Sequence, residues 1–285
     1  MKKRTKRNDK NGGVEWQMWG IPLFGGDKTQ VLRGVEGWLE RGKKRRWIAT
    51  VNPEFVMGAL KDEKFKKILQ KNTTMNVVDG VGLVWARKIG PSWIASHPTG
   101  LIDQRCWMKR WIKGVKVGVG VLRGEYKNEV TSGSGLIGDL CSLAKKGNYR
   151  VFFLGGWENR AERTARFFEK KYKGLKTDWC SGEPEIKNAQ VISKINKFKP
   201  EILLVAYGMK KQEEWIEKNL SRLDVGMVMG VGRSFDYYSG ELKRAPKIWC
   251  DMGLEWLYSL IKEPKRWRRQ LALPRFVWKV MRNGL

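Results

Sequence analysis

Histidine is almost absent from this 285-residue chain, carboxylates are scarce beside cations, and neither paired cysteines nor a long apolar run occurs. His97 is the single histidine, which excludes His-based triads and most His-rich metal sites unless His97 itself takes part. Cys106, Cys141, Cys180 and Cys250 are scattered without a CxxC pair, so neither a zinc cluster nor a disulfide framework is indicated. A reducing cytoplasm fits that usage. No stretch of about 18 uncharged apolar residues appears, so no membrane-spanning helix is expected. The opening MKKRTKRNDKNGG is basic and polar with no apolar stretch behind it; residues 1–13 read as a disordered arm and not as a secretory signal.

What the chain has in excess is positive charge. Lys and Arg number 57 against 29 Asp and Glu, a formal net charge of +28, which implies an anionic partner: nucleic acid, anionic lipid or a phosphorylated substrate. A hydrophobic content of 41% excludes wholesale disorder, and the length suits one large domain with an appendage.

Apolar runs and amphipathic stretches alternate along the chain. Trp16–Leu23 reads as a strand, Val31–Arg41 as a helix, Trp47–Val51 as a strand, and Pro53 opens a helix through Leu69. Val77–Val78 ends at a DG turn before a helix over Gly82–Lys88. Later, Leu136–Lys145 is helical, Tyr149–Gly155 is a buried strand, and Ala161–Tyr172 is helical again. A helix from Asn188 to Phe198 then feeds the strand Glu201–Tyr207, and Gly226–Val231 is the last strand. This βαβ spacing predicts an α/β fold, a doubly wound, mostly parallel Rossmann-like sheet with helices on both faces. The domain spans residues 14–248 with an insertion at 91–128, and a Trp-, Arg- and Lys-rich helical appendage follows at 249–285.

Four blocks sit where strands end: TVNPEFV at 50–56, VVDGVGLVWA at 77–86, YGMKKQEEWIEKN at 207–219 and GVGRSFDYYSGELKRAP at 230–246. Open α/β sheets bind ligands at such ends. Thr50 and Asn52 are short polar residues able to bond substrate hydroxyls, and Asn52 equally suits an N-cap before Pro53. Asp79 stands beside Gly80 and Gly82, which let a ligand approach the backbone; a carboxylate there can act as a base or can cap the helix behind it. Gln212 can donate to a sugar or a diphosphate, or be a solvated first-turn residue. Gly155, Gly156, Tyr207, Gly208, Gly230 and Gly232 follow apolar strands, where backbone N–H groups can meet phosphate or ribose oxygens. Asp236 suits either a nucleoside contact or a helix cap.

Together these blocks resemble the WecG/TagA/CpsF family of bacterial glycosyltransferases, from about Gly20 to the C-terminus with an interruption at 91–128. The resemblance implies an inverting transfer of N-acetylmannosamine or a related hexosamine from a UDP-sugar to a polyprenyl-diphosphate-linked sugar in cell-surface polysaccharide synthesis. It assigns Asp79 as general base, places Thr50, Asn52 and Gln212 in the active site, and aligns Arg266 and Arg269 with basic residues that stabilise diphosphate. The chain departs from the family pattern at Glu129–Gly135, which reads EVTSGSG without the usual Arg and Asp, at Arg233, where a Gly is frequent, and at Ser259, where a base is frequent. No DxD-type acidic pair is present, so no metal or other cofactor is required by the sequence.

The resemblance also implies an appendage that docks on the inner face of the cell membrane, making the protein peripheral there. Trp267 and Trp278 interleave with Lys and Arg, as suits an anionic interface. In the insertion, Trp107, Met108, Trp111, Ile112 and Val115 share a helical face opposite Lys109, Arg110, Lys113 and Lys116, a second interfacial element or else a packed insertion. Two other readings stand beside the transferase: a nucleic-acid-binding protein using basic and Trp surface, for which no recognised motif appears, and a relative that binds a nucleotide sugar without transferring it. Monomer and homo-oligomer are both open.

Overall fold

The structure, a computed structural model, describes residues 15–42, 44–90, 104–183 and 188–283. The basic arm at 1–13, His97 and the first part of the insertion at 91–103 lie outside the described residues. Eight strands form one sheet in the order β1-β2-β4-β3-β8-β7-β5-β6. They are β1 Glu15–Met18, β2 Ile21–Phe24, β3 Arg46–Val51, β4 Met75–Val78, β5 Arg150–Gly155, β6 Lys176–Cys180, β7 Ile202–Ala206 and β8 Met227–Gly230. Only β1 runs antiparallel to its neighbour. The mostly parallel α/β sheet is thus the expected one.

Alternation along each strand separates two cores. Ile48, Val77, Phe153, Leu204 and Met229 face the helices Lys28–Glu40, Gly133–Lys146 and Arg160–Lys171. Trp47, Ala49, Val51, Phe152 and Val205 face the other side, against Pro53–Ala59, Asn188–Phe198 and Lys211–Asn219. The central strands are buried on both faces, which is why they read as continuous apolar runs.

Three elements differ from the sequence reading. Trp16–Leu23 is not one strand but the hairpin β1–β2, because Trp19 (φ 46°) and Gly20 (φ 86°) make a tight turn with positive φ at both central residues. The expected helix from Pro53 to Leu69 breaks after Ala59 and restarts at Glu63, where Asp62 caps it by accepting from Phe65 N–H at 3.1 Å. The edge strand β6 went unmarked because KTDWC is polar and only partly buried.

The insertion forms the helix Gln104–Leu122, whose placement departs from the expectation at Trp111 and Arg110. Trp111 packs inward against Ile89, Val117 and Met281, and Arg110 is buried with its guanidinium donating to the Val280 carbonyl. The side chain of Trp107 lies outside the described residues. Of the expected apolar face, Met108, Ile112 and Val115 are exposed, and among its described side chains only Trp111 turns inward.

The C-terminal segment also enters the core. Phe276 and Val280, on the helix Ala272–Asn283, are fully buried beside Met18, Phe55 and Leu83, with Phe276 edge-on to Trp19 at 5.8 Å. A cut at residue 249 would open that cluster, so the α/β domain is not complete without its appendage. Phe276→Ala is expected to lose about 3–5 kcal/mol of stability by denaturant unfolding; a loss within experimental error would show that the last helix is only laid on the surface.

Candidate active site

The carboxyl ends of the strands gather the four sequence blocks on one edge of the sheet. The helix after β5 leads outward to β6, whereas the helix after β7 leads inward to β8, so a crevice opens where the chain reverses direction. A cavity of about 610 Å³ occupies it, bordered by Gly156 and Trp157 after β5, Tyr207, Gly208 and Lys211 after β7, and Gly232 after β8. Gly155 and Gly156 both hold positive φ (94° and 77°), and a Cβ on Gly155 would lie 2.8 Å from the Tyr207 ring. Glycine at 155 is therefore fixed by packing as much as by any ligand. Burial pushes the Tyr207 phenol up, keeping it a neutral hydrogen-bonding group.

Under this cavity lies a buried knot of hydrogen bonds. Thr50, at the end of β3 and 5% exposed, donates its hydroxyl to the Gly230 carbonyl at 3.2 Å. Gln212 is 1% exposed; its amide oxygen accepts from Gly232 N–H at 2.9 Å and its amide nitrogen donates to Glu213 at 2.8 Å. The other Glu213 oxygen accepts from Lys210 N–H at 2.8 Å, bracing a residue at φ 72° whose ammonium pairs with Asp62. A Cβ at 230 would sit 2.5 Å from the Gln212 amide, so only glycine fits there. Thr50, Gln212 and Gly230 thus shape the site from beneath it, and neither Thr50 nor Gln212 lines this cavity or the one that holds Asp79. Burial among neutral donors pushes the Glu213 carboxyl up to about 7.

Asp79 lines a second cavity of about 420 Å³, together with Asn52, Gly80, Gly82, Arg244, Glu255, Trp256 and Ser259. Its N–H extends the ladder of β4 by donating to the Val51 carbonyl at 2.8 Å. The helix behind it, Val81–Ile89, starts at Gly80 (φ 92°) with no side-chain cap, so Asp79 does not cap its own helix. Its carboxylate accepts instead from Gly133 N–H, at the start of the helix Gly133–Lys146, whose Ser132 cap belongs to the divergent EVTSGSG segment. Crowding by protein, then the negative charge of Glu255, pushes Asp79 up to about 7 against the opposing pull of Gly133 N–H and Arg244. Asn52 fills two places at once, capping Pro53–Ala59 through Phe55 N–H at 3.0 Å while lining the cavity. Gly82 is glycine because a Cβ would press 2.7 Å from Pro53.

Glu54 and Arg269 border both cavities and join them. Arg269 makes a bidentate pair with Glu54, Nε–Oε1 2.7 Å and an Nη2 bond of 3.1 Å, tying the appendage to the start of Pro53–Ala59. A second bidentate pair runs the other way, from Arg233 of the sheet domain to Glu263 of the appendage, at 2.7 and 3.1 Å. The remaining nitrogen of Arg233 and the guanidinium of Arg160 take both oxygens of Asp236, at 2.9 and 2.7 Å. Asp236, inside the helix Ser234–Tyr238, is therefore not a helix cap; it borders the larger cavity and aligns two arginines. The side chain of Arg266 lies outside the described residues.

Sequence reasoning passed over Trp157, Arg160, Glu54, Arg244, Glu255 and Glu263. Arg244 stands in the Asp79 cavity with Ser259, a cation where the family position at 259 lacks one. The sequence held one signal for it, the LKRAP end of the fourth block. Among the described residues, no group of three or more His, Cys, Asp or Glu could hold a metal ion.

Comparison with known proteins gives a consistent picture. The profile of the glycosyl transferase WecG/TagA/CpsF family matches residues 16–98 and 112–285. An N-acetylglucosaminyldiphosphoundecaprenol N-acetyl-beta-D-mannosaminyltransferase of Bacillus spizizenii is 26% identical over 240 residues, 84% of this chain and 80% of the relative. A protein of the same name from Staphylococcus aureus is 25% identical over 258 residues, 89% of this chain and 88% of its own length.

The buried knot makes a specific demand. Since both ends of the Gln212 amide are committed inside the protein, Gln212→Ala is expected to lower unfolding stability by about 1–3 kcal/mol, leaving Gly232 N–H and one Glu213 oxygen without these partners. Calorimetry showing wild-type stability with lost turnover would instead put the amide in the cavity, against substrate.

Proposed function

This chain belongs to the WecG/TagA/CpsF family of glycosyl transferases, and we propose that it moves N-acetylmannosamine or a closely related hexosamine from a UDP-sugar to a sugar carried on a polyprenyl diphosphate. The observation that carries the reading is the pair of adjoining cavities, one floored by strand-end glycines and the other holding Asp79, joined at Arg269. The names of the similar transferases supply the sugar and the lipid-linked acceptor as the chemistry to test.

In this reading UDP lies in the larger cavity. Its base meets the exposed indole of Trp157 and the ring of Tyr207, and its diphosphate runs past Gly208 and Gly232 toward Lys211 and Arg269. The helix Lys211–Asn219 aims its N-terminus at that end, adding positive potential. The acceptor sugar occupies the Asp79 cavity, with Arg244 available to its diphosphate.

The reaction then balances without a covalent intermediate. Asp79 takes the proton of the acceptor hydroxyl while that oxygen bonds to the anomeric carbon, and the bond from that carbon to the phosphate oxygen breaks. UDP leaves with the electron pair, and attack opposite the leaving group inverts the anomeric centre. Charge on the departing diphosphate is met by Arg269 and Lys211, so the cations come from the chain itself. A carboxyl near 7 is matched to the task, basic enough to accept a proton and ionised in a useful fraction at neutral pH.

Because the acceptor is lipid-anchored, the chain works at a bilayer surface, which we place at the cytoplasmic leaflet on the strength of its net charge of +28. Among the described residues no helix is long and apolar enough to cross a membrane.

Asp79→Asn is expected to lower turnover about 100- to 10,000-fold while UDP affinity stays near wild type. Wild-type kcat/KM should rise with pH and level off above about 7, since only the ionised Asp79 accepts the proton. The sign for stability is opposite: a raised folded-state pKa favours the fold at low pH and loses that contribution as pH climbs through about 7, so Asp79→Asn should melt higher than wild type at pH 8. Near-normal transfer by the variant would remove Asp79 from the base role.

A further inference from the structure

The helix Gln104–Leu122 carries an apolar line that no described residue covers. Met108, Ile112, Val115, Val119 and Leu122 follow one another at alternating steps of four and three residues, and every one is exposed, from 41% at Val119 to 63% at Ile112. The opposite side of the helix is the packed one. Arg110, Gly114 and Val117 face Ile89, Val280 and Met281, and Trp85 donates to the Gly114 carbonyl at 2.9 Å. The outward line is thus held in place by a well-packed inner face, as a built surface would be.

Charge beside the line is of one sign. No Asp or Glu occurs from residue 104 to residue 124, while Lys109, Lys113, Lys116 and Arg123 are all exposed. The neighbouring helix Ala272–Asn283, packed against it, also shows an aromatic and cations to solvent, at Trp278, Arg275 and Arg282. Residues 99–111 fall between the two segments that match the family profile, so the start of this helix lies outside the matched segments.

We propose that this face docks on an anionic phospholipid bilayer, with the five apolar side chains entering the headgroup boundary and the flanking cations meeting lipid phosphates. The spacing alone would also suit a partner helix from a second copy, but pairing two such faces would set Lys and Arg against Lys and Arg with no carboxylate between them. A negatively charged bilayer satisfies both the apolar line and its cationic border. The proposal names the surface that the lipid-anchored acceptor of the preceding section requires, and its test uses neither donor nor acceptor.

The full chain is to be sedimented with vesicles of phosphatidylcholine alone and of phosphatidylcholine mixed with phosphatidylglycerol, as wild type and as two double variants, Ile112→Ser with Val115→Ser and Lys109→Glu with Lys116→Glu. Wild type is expected to bind the mixed vesicles and to release them at high salt, and each variant to bind at least about tenfold more weakly, the charge variant through its two lost cations and the serine variant through its lost apolar burial. Both variants should transfer sugar to a water-soluble acceptor at the wild-type rate, since neither pair touches a cavity. Wild-type vesicle affinity in the charge variant, which keeps the apolar line and serves if the serine variant fails to fold, would overturn the proposal. So would a wild-type dimer in sedimentation velocity that the serine variant converts to a monomer with vesicle binding unchanged, which would assign the face to a second copy. Vesicle binding as expected by a chain that transfers no sugar would overturn the transferase reading and leave this surface standing.

Discussion

The site depends on one buried set of hydrogen bonds at the end of β8. Thr50 reaches it from β3, Gln212 and Glu213 from the helix after β7, and Gly230 and Gly232 supply the backbone that all of them hold. These bonds lie where two halves of the sheet meet, so the relative placement of the two cavities is fixed through them. In a low-dielectric interior each unmade bond of this kind leaves a stranded polar group, which makes the arrangement all-or-none. The glycine at 230 is the geometric condition, since any side chain would strike the Gln212 amide.

Above the knot, charge is arranged in opposite ways at the two cavities. Around the larger one, cations are abundant but restrained, with Arg160, Arg233 and Arg269 each held by a carboxylate. In the smaller one, burial first and the negative charge of Glu255 second push Asp79 up to about 7. In the proposed reading, a diphosphate arriving beside Arg269 would compete with Glu54 for the same guanidinium and weaken a tie between appendage and sheet domain. The two cavities share that ion pair as a common border.

Much of the frame was legible in the sequence because parallel strands buried on both faces read as apolar runs, and their ends carry glycines and short polar residues. Asp79 and Asn52 could be placed at strand ends by that rule, and the structure sets both in one cavity. Thr50 and Gln212 were placed at the right ends too, yet a residue just past a strand can turn up toward a ligand or down into the sheet, and pattern does not choose between them. The bidentate pairs from Arg269 to Glu54 and from Arg233 to Glu263 join residues 215 and 30 positions apart; no local signal announces them. The insertion helix was legible only in part for a related reason. Met108, Ile112 and Val115 of its expected apolar face are exposed, but Trp111 on the same broad arc turns inward, because the helix Ala272–Asn283, far along the chain, packs there.

The most direct test of the account is a crystal structure of the chain with UDP bound. The expected density has the base against Trp157 and Tyr207 and the diphosphate beside Gly232, within reach of Arg269, with the Asp79 cavity left open for an acceptor. UDP lodged against Asp79 and Arg244, with the crevice between β5 and β7 empty, would contradict the division of the site into a donor cavity and an acceptor cavity.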